Sequence, residues 1–248
     1  MAREPQLIPE EEHFLHMWEP LDFAVEDDYD YQRNRWYQRL GSLLFRGIAT
    51  GILAVYNTLT LGMKVDGREN LALLKGQGAV AVCNHVHPMD CTMVDNALLS
   101  RRVYYVTLDT NFRIPVVRHI IRWLGAVPLS RSPRQIRELF SQMGEAMARG
   151  AVVQVYPEGV LIPYDTTLRH FRNGAFRLAV ESGVPVLPMV ITQEPPRGLF
   201  RLYKRKPCLH LHILPPVYPD ATLTRREAVA ALHTACRAAM EARLSREK

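Results

Sequence analysis

The chain has 248 residues, which is long enough for one sizeable α/β domain with a full hydrophobic core. Its four cysteines include no C-x-x-C pair, which argues against a zinc knuckle and a disulfide framework and suits a reducing compartment. The net charge of +6 hides an asymmetry, because residues 1–31 hold ten acidic side chains and one basic one, whereas the remainder holds thirty basic and fifteen acidic. A basic body suits nucleic acid, anionic lipid or phosphorylated substrates, and since no nucleic-acid-binding motif is present we expect no nucleic-acid partner.

The first 64 residues predict an acidic arm followed by a membrane-contacting helix. Residues 1–31 read as irregular, and they lack the basic start and apolar core of a secretory signal peptide. Further on, arginines flank aromatic and leucine residues, and seventeen uncharged residues separate Arg46 from Lys64. That length is at the lower limit for a spanning helix, so an interfacial amphipathic helix is favoured over a spanning one, with a buried core helix as the alternative. We therefore divide the chain into a membrane-associating segment, 1–64, and a second unit, 65–248.

Beyond Gly67 the pattern alternates between strands and helices. The predicted strands are 79–83, 103–107, 151–157, 184–191 and 208–214, and the predicted helices are 133–149, 173–182 and 225–244. Ser132 and Gln135 predict a capping box for the helix at 133–149. The alternation predicts a mixed, mostly parallel sheet flanked by helices, with ligands at the carboxyl ends of the strands. In the last strand, His210 and His212 fall on one face, which we interpret as half exposed rather than as a metal site.

The stretch AVAVCNHVHPMDCTMV, residues 79–94, carries the candidate chemistry. Pro88 suits the first position of a helix, which puts Asp90 in the first turn, where a carboxylate is favoured. His85 lies ahead of that helix at the end of a strand, so Asp90 can fold back to one imidazole nitrogen. The other nitrogen would then be free to take a proton from a bound hydroxyl.

Three other interpretations of this stretch remain open. His85 and His87 could bind a metal in a hydrolase, although few further histidines follow that could complete the ligand set. Cys83 or Cys91 could be a nucleophile, although a small apolar cysteine beside a strand is usually part of the core. The third interpretation is a lipid-binding module without catalytic activity, and the intact histidine–aspartate pair argues against it.

The pattern N-H-x-x-x-x-D after an apolar strand resembles the first motif of the glycerolipid acyltransferases, the 1-acyl-sn-glycerol-3-phosphate acyltransferase family. Other segments resemble the family's remaining motifs in the same order across residues 40–215. They are VDGRENL (65–71), FRIPVVRHIIRWLGAVPLSRS (112–132), VYPEG (155–159) and FRNGAFRLAVESGVPVLPMVI (171–191).

This resemblance implies a role for each matching residue. His85 would be the general base and Asp90 its orienter, while Arg131 would contact the anionic head of the acceptor. Glu158 and Gly159 would shape the acceptor site. The remaining match, Pro188, would belong to the wall around the acyl donor.

The resemblance also implies a reaction and a location. An acyl group would pass from an acyl-CoA or acyl carrier protein thioester to a lysophospholipid hydroxyl, with lysophosphatidic acid the leading acceptor and phosphatidic acid the product. No metal or other cofactor is expected. The protein would be associated with an anionic membrane surface on its cytoplasmic face.

The sequence departs from the family where phosphate would bind. The third motif usually continues Thr-Arg-Ser after its glutamate and glycine, but here Val160, Leu161 and Ile162 follow. A lysine usual before the second motif is absent from residues 108–111, and His87 stands where a serine is common. The alternative acceptor is therefore a lysolipid without phosphate, unless Arg113, Arg169 or Arg172 supplies the missing charge.

Overall fold

A computed structural model describes residues 22–33 and 35–246. The strands of this part are β1 (Lys64–Asp66), β2 (Ala79–Cys83), β3 (Val103–Leu108), β4 (Ala126–Leu129), β5 (Val152–Val155), β6 (Val186–Glu194) and β7 (Cys208–Ile213). The α-helices are α1 (Trp36–Tyr56), α2 (Asp90–Ala97), α3 (Val117–Leu124), α4 (Pro133–Ala148), α5 (Gly174–Ser182), α6 (Phe200–Tyr203) and α7 (Arg225–Ser245). A π-helical turn, Asn57–Leu61, extends α1, and 3-10 turns cover Arg68–Leu74 and Asp109–Arg113.

All seven strands belong to one sheet, in the order β1-β7-β6-β2-β5-β3-β4. β2 pairs in parallel with β5 and β6, and β3 pairs in parallel with β5 and β4. β7 runs antiparallel to β6 and parallel to β1. The prediction of a single α/β domain with a mixed, mostly parallel sheet is confirmed. It follows that β2 to β6 all end at one edge of the sheet, which we call the carboxyl edge.

Helices cover both faces of the sheet. On one face, α4, α5 and α7 bury a core that includes Met143, Phe176 and Met240. On the other, α2 buries a second core that includes Met93, together with Leu187 of β6. The residues of β2 are fully buried, which explains why this strand reads as an uninterrupted apolar run in the sequence.

The predicted acidic arm is described only in part. Residues 22–33 form neither helix nor strand, as expected, and they lie on α4. Tyr31 is buried there, and its backbone N–H donates to Gln142 Oε1 at 2.9 Å. Residues 1–21, where most of the arm was predicted, lie outside the described residues.

The helix predicted at 133–149 is confirmed as α4, but its predicted capping box is wrong. The Ser132 side chain makes no capping hydrogen bond. Gln135 is drawn away instead, since it accepts from Ser130 Oγ and donates to the carbonyl oxygen of Val25. A capping box that was not predicted begins α7, where Thr224 and Glu227 form reciprocal hydrogen bonds.

The prediction that His210 and His212 lie on a half-exposed face is also wrong, because only 9% and 4% of their surfaces are exposed. The last turns of α7 cover them, and Arg243 Nη2 lies 2.8 Å from His212 Nε2. His210 Nδ1 lies 3.0 Å from Glu194 Oε1, and its Nε2 lies 2.9 Å from Asp66 Oδ2. The two imidazoles therefore belong to a network of acidic and basic side chains.

Helix α1 is docked on the domain by its polar side. Its buried side chains are polar, and Arg46 Nη2 donates to Asp95 Oδ1 of α2 at 2.6 Å. Thr50 donates to the other oxygen of the same carboxylate, and Asn57 Nδ2 donates to Asn96 Oδ1 at 2.6 Å. The large apolar side chains of α1 point away from the protein and are exposed: Trp36, Leu40, Leu43, Leu44, Ile48, Ile52 and Val55. This arrangement is the reverse of that in a core helix, which buries its apolar side.

Candidate active site

The loop after β2 is tied to β6 by the side-chain amide of Asn84. Asn84 Nδ2 donates to the carbonyl oxygen of Ile191 at 2.9 Å, and the backbone N–H of Ile191 donates to Asn84 Oδ1 at 2.7 Å. These two bonds extend the β2–β6 ladder by one step in the manner of a peptide group. His85 therefore leaves the sheet from a fixed position at the carboxyl edge.

Asp90 organises the loop that carries His85. Its carboxylate is fully buried, and one oxygen, Oδ2, accepts from the backbone N–H groups of Val86 at 2.7 Å and His87 at 3.0 Å. The same oxygen lies 3.0 Å from His85 Nδ1. The helix begins at Asp90 rather than at Pro88, which lies in the preceding turn, but the predicted place of Asp90 in the first turn is confirmed.

This geometry assigns the hydrogen on the imidazole of His85. A carboxylate has no proton to donate, so His85 Nδ1 must be the donor to Asp90, and Nε2 keeps its lone pair. The side chain of His85 is 23% exposed, so that solvent or a bound molecule can reach the ring. The arrangement can take a proton from a hydroxyl placed at Nε2.

Tyr156 supports the imidazole from one side. The two rings are stacked, with centroids 4.0 Å apart and planes 14° from parallel. The phenol hydroxyl is buried without a hydrogen-bond partner among the described residues, and burial raises its pKa well above 10. This residue was not predicted to belong to the site, because its only local indication is an aromatic ring beside the VYPEG proline.

Residues 160–164, where the sequence departs from the family pattern, fold back over the His85 loop. The backbone N–H of Ile162 donates to the carbonyl oxygen of His85 at 3.4 Å, and that of Tyr164 donates to Val86 at 2.8 Å. The ring of Tyr164 packs edge-on against His87, with centroids 5.7 Å apart. The apolar segment therefore holds the His85 loop in place, a role that its composition did not indicate.

Glu158 lies below this loop as a buried acid. Its side chain is 1% exposed, and Oε2 accepts from Arg169 Nη1 at 3.0 Å. Burial raises the pKa of Glu158 to about 7, while the nearby Arg169 and His85 oppose the rise. We consider burial dominant because Oε1 has no hydrogen-bond partner among the described residues.

Gly159 is required by the backbone and by its neighbour. Its φ of +66° belongs to the left-handed region, and an added Cβ would come within 3.1 Å of Arg172 Nε. The guanidinium of Arg172 is thus held beside the VYPEG turn, close to the place of the missing family arginine.

The other two predicted site residues lie farther from His85. Arg131 is exposed just beyond the end of β4, three strands away from β2, which corresponds to about 14 Å at the usual strand spacing. Pro188 is buried within β6 opposite Val82. Both are at or near the carboxyl edge, but the structure does not bring them into contact with the imidazole.

The metal and thiol interpretations find little support in this geometry. His85 Nδ1 donates to Asp90, while His87 Nδ1 accepts from the backbone N–H of Met89 at 3.1 Å. Within residues 22–33 and 35–246, the one group of three or more His, Cys, Asp or Glu side chains close enough to share a metal ion is Asp66, His210 and His212, which contains neither His85 nor His87. Burial raises the pKa of Cys83 well above 9, so this thiol stays protonated at neutral pH.

Comparison with known proteins decides the family. The model of the Acyltransferase family matches residues 62–192, more than half of the chain, and the matched region contains the whole His85 loop. The chain belongs to this family. The likeness that the sequence motifs indicated is therefore confirmed.

Individual acyltransferases are similar to this chain over about half of its length. A chloroplastic 1-acyl-sn-glycerol-3-phosphate acyltransferase of Brassica napus is 31% identical over 51% of this chain and 36% of its own length. The human 1-acyl-sn-glycerol-3-phosphate acyltransferase beta is 30% identical over 52% of this chain and 46% of its own length. The chain thus spans between a third and a half of these two relatives.

A solved structure shares the fold more widely. The crystal structure of the 1-acyl-sn-glycerophosphate (LPA) acyltransferase PlsC from Thermotoga maritima aligns with a TM-score of 0.52. It covers 81% of this chain and 86% of that chain at 22% identity. At this identity the match supports the architecture of the acyltransferase domain and nothing finer.

Proposed function

We propose that this protein transfers a fatty acyl group from a thioester to the free hydroxyl of 1-acylglycerol-3-phosphate, which forms phosphatidic acid. The observation that carries the proposal is the His85–Asp90 pair at the carboxyl edge, with its Nε2 lone pair directed away from the carboxylate. Membership of the acyltransferase family and the names of the relatives support the choice of substrate.

The proposed reaction needs one base and one orienting carboxylate. His85 Nε2 takes the proton of the acceptor hydroxyl as the hydroxyl oxygen attacks the thioester carbonyl. The new ester bond forms, the carbon–sulfur bond breaks, and the departing thiolate receives the proton from the imidazolium. Asp90 stabilises the imidazolium between these steps. No protein nucleophile, metal or other cofactor takes part, and the thioester of CoA or acyl carrier protein is the co-substrate.

Three exposed cations are proposed to meet the acceptor phosphate. Arg172 lies beside Gly159, and Lys206 lies over the ring of Tyr164 at 5.1 Å, so both flank the His85 loop. Arg131 approaches along the same edge from β4. Each charge-assisted hydrogen bond to a phosphate is worth about 1.5–3 kcal/mol, so two such cations would offset the missing family arginine. Arg169 is a weaker candidate because Glu158 and Asp165 already bind it.

We also propose that Pro188 lies near the acyl donor, as the resemblance implies.

We propose that the protein associates with the membrane through α1. The helical stretch Trp36–Leu61, 26 residues, is long and apolar enough to cross a bilayer by length and composition. Its polar side is nevertheless fixed to α2 by buried hydrogen bonds, which favours a helix lying in the interface with its apolar side in lipid. The four free cysteines suit the cytoplasmic face.

The test is an acceptor panel assayed with one acyl-CoA and one acyl carrier protein thioester. We expect product with lysophosphatidic acid, ~10²–10⁴-fold slower turnover with His85→Ala, and an improved or unchanged Michaelis constant for this acceptor with Leu161→Arg. A specific observation favours a second candidate, an acceptor without phosphate, because Val160 to Ile162 bring no cation. Efficient use of such a lysolipid, with no use of lysophosphatidic acid, would replace our proposal with that candidate.

A further inference from the structure

The β6–β7 connection, residues 195–207, carries an exposed surface of which the proposed reaction uses only Lys206. It contains the short helix α6, whose outward side chains are large and apolar. Leu199 is 78% exposed, Leu202 82% and Tyr203 57%. Three such side chains within five residues form an apolar patch, and exposed patches of this kind mark interaction sites.

The same segment is strongly basic. Residues 197–206 contain no acidic side chain and five cations: Arg197, Arg201, Lys204, Arg205 and Lys206. All of these except the half-buried Lys204 are exposed. Cations interleaved with leucine and tyrosine match an anionic lipid surface, where the rings and leucines enter the interface and the cations meet the headgroups.

This patch is continuous with the apolar side of α1. Tyr203 Oη donates to the carbonyl oxygen of Leu59 at 2.6 Å, and Lys204 Nζ donates to that of Thr60 at 2.6 Å. Leu59 is itself exposed. These bonds fix α6 beside the end of the α1 helical stretch.

We propose that residues 195–207 are a second membrane contact, which binds an anionic bilayer and sets the rotation of the domain about α1. The apolar side of α1 faces the lipid and so limits roll about the helix axis, but one narrow contact still leaves the attached domain some freedom to roll and tilt. A second contact to one side removes that freedom. The inference rests on the proposed membrane association of α1, but not on the identity of the acyl acceptor.

The consequence for the reaction follows from the sheet. β6 is parallel to β2, so this connection leaves the sheet at the same edge as His85. Lys206 lies 5.1 Å from the ring of Tyr164, which in turn packs on His87. Seating this connection on the bilayer therefore turns the catalytic loop toward the lipid surface, so that an amphiphilic acceptor reaches His85 without leaving the interface.

Tryptophan substitution tests insertion directly. Leu202→Trp and the control Leu223→Trp place a reporter on the connection and on an exposed leucine ahead of α7, on the other face of the sheet. Each variant is mixed with phosphatidylcholine vesicles containing about one-third phosphatidylglycerol, with and without brominated acyl chains. The difference from wild-type emission isolates the new ring. We expect the emission of the tryptophan at residue 202 to shift to the blue on vesicle binding and to be quenched by brominated chains. The emission of the tryptophan at residue 223 should be unchanged.

A charge-reversal variant tests the electrostatic part. Arg197→Glu combined with Arg201→Glu and Arg205→Glu should weaken partition into these vesicles by at least ~10-fold, and should remove most of its salt dependence. The control Arg226→Glu should behave as the wild type. The triple variant should also lose turnover of a vesicle-borne acceptor while retaining turnover of a short-chain, water-soluble one.

The outcomes separate the two proposals. Absence of quenching at residue 202 in protein that sediments with vesicles overturns the second contact and leaves α1 as the anchor. Absence of vesicle binding by the wild type overturns both membrane proposals. Quenching at residue 202 in a protein inactive with every acceptor supports the contact while the proposed function fails. Equal partition of the triple variant and Arg226→Glu into anionic vesicles contradicts the choice of anionic lipid and points to a protein partner.

Discussion

At the scale of single residues, one buried oxygen controls the proposed catalytic site. Asp90 Oδ2 accepts from two backbone N–H groups of the loop and from His85 Nδ1, so one atom both shapes the loop and orients the base. The ring of Tyr156 packs on one face of the His85 imidazole and restricts its movement in that direction. Loss of any of these contacts would move Nε2, whereas the side chain of His87, which contributes only its backbone N–H, lies outside this set.

Replacement of His85 by alanine should lower turnover by ~10²–10⁴-fold, the usual contribution of a general base. His87→Ala should do much less, because its Nδ1 is occupied by Met89 N–H and burial, aided by Lys206 and Lys204, lowers its pKa. Turnover at saturating acceptor measures both, with circular dichroism as the check on folding. Equal losses in the two variants, together with a stoichiometric bound metal, would contradict the histidine–aspartate assignment.

Glu158 should make stability depend on pH in a definite direction. Its pKa is raised from 4.5 to about 7, so the folded state holds the proton more tightly than the unfolded state between these values. Its contribution to stability is therefore complete below about pH 4.5 and is lost as the pH rises through 7. Relative to the wild type, Glu158→Gln should gain about 1–3 kcal/mol of unfolding free energy between these limits.

Urea unfolding across this pH range measures that difference. Glu241→Gln is the matched control, because Glu241 is half exposed and pairs with Arg237 only at the surface. We expect the control to follow the wild type at every pH. If Glu158→Gln also ran parallel to the wild type, the Arg169 ion pair would be shown to keep Glu158 ionised throughout.

At the scale of elements, sequence patterns were sufficient to predict those features whose contacts are between residues close together in the chain. The buried strand β2, the helix α4 and the His85–Asp90 pair could all be predicted, because the residues involved are neighbours in the chain. The stacking of Tyr156 and the hydrogen bonds of residues 160–164 could not be predicted, because they join segments that meet only in the folded sheet. The prediction that His210 is half exposed failed for the same reason, since the last turns of α7 come to lie on that strand only in the folded domain.

The docking of α1 on α2 is an element-scale contact with a measurable free energy. Asp95 accepts from Arg46 at 2.6 Å, from Tyr105 at 3.1 Å and from Thr50. Asp95→Ala would leave these donors buried without an acceptor, so we expect a loss of ~3–5 kcal/mol of unfolding free energy. Chemical denaturation in the presence of detergent gives the value.

The control for this prediction is an exposed ion pair. Asp27→Ala breaks a contact with Arg134, in which both side chains are at least half exposed, and should cost no more than about 1 kcal/mol. A loss for Asp95→Ala as small as that for Asp27→Ala would show that α1 is held chiefly by other contacts. The division of the chain at residue 64 remains a prediction, and this comparison bears on it directly.

At the scale of the whole molecule, the exposed apolar surfaces and the excess of basic charge belong to the same part of the chain. The exposed side of α1, the α6 patch and the cations near the catalytic loop all belong to the part of the chain after residue 31, which carries the excess of basic residues. The acidic side chains are concentrated in the arm before it. We therefore expect insertion of apolar side chains to make the larger contribution to binding of anionic bilayers, and electrostatic attraction to add a smaller one.

Four substitutions on the exposed side of α1 test this order of contributions: Leu44→Ser, Ile48→Ser, Ile52→Ser and Val55→Ser. None of these side chains belongs to the buried polar side, so the fold should survive, as judged by an unchanged unfolding midpoint in detergent. Transfer of a large apolar side chain from water is worth about 1.5–3 kcal/mol, so even partial immersion of four should make binding at least ~10³-fold weaker in the variant. Sedimentation with anionic vesicles at low and high salt measures this. The wild type should remain bound at high salt, while any residual binding of the variant should disappear, because screening removes only the electrostatic part. Sedimentation of the variant equal to that of the wild type would show that α1 faces another protein surface rather than lipid.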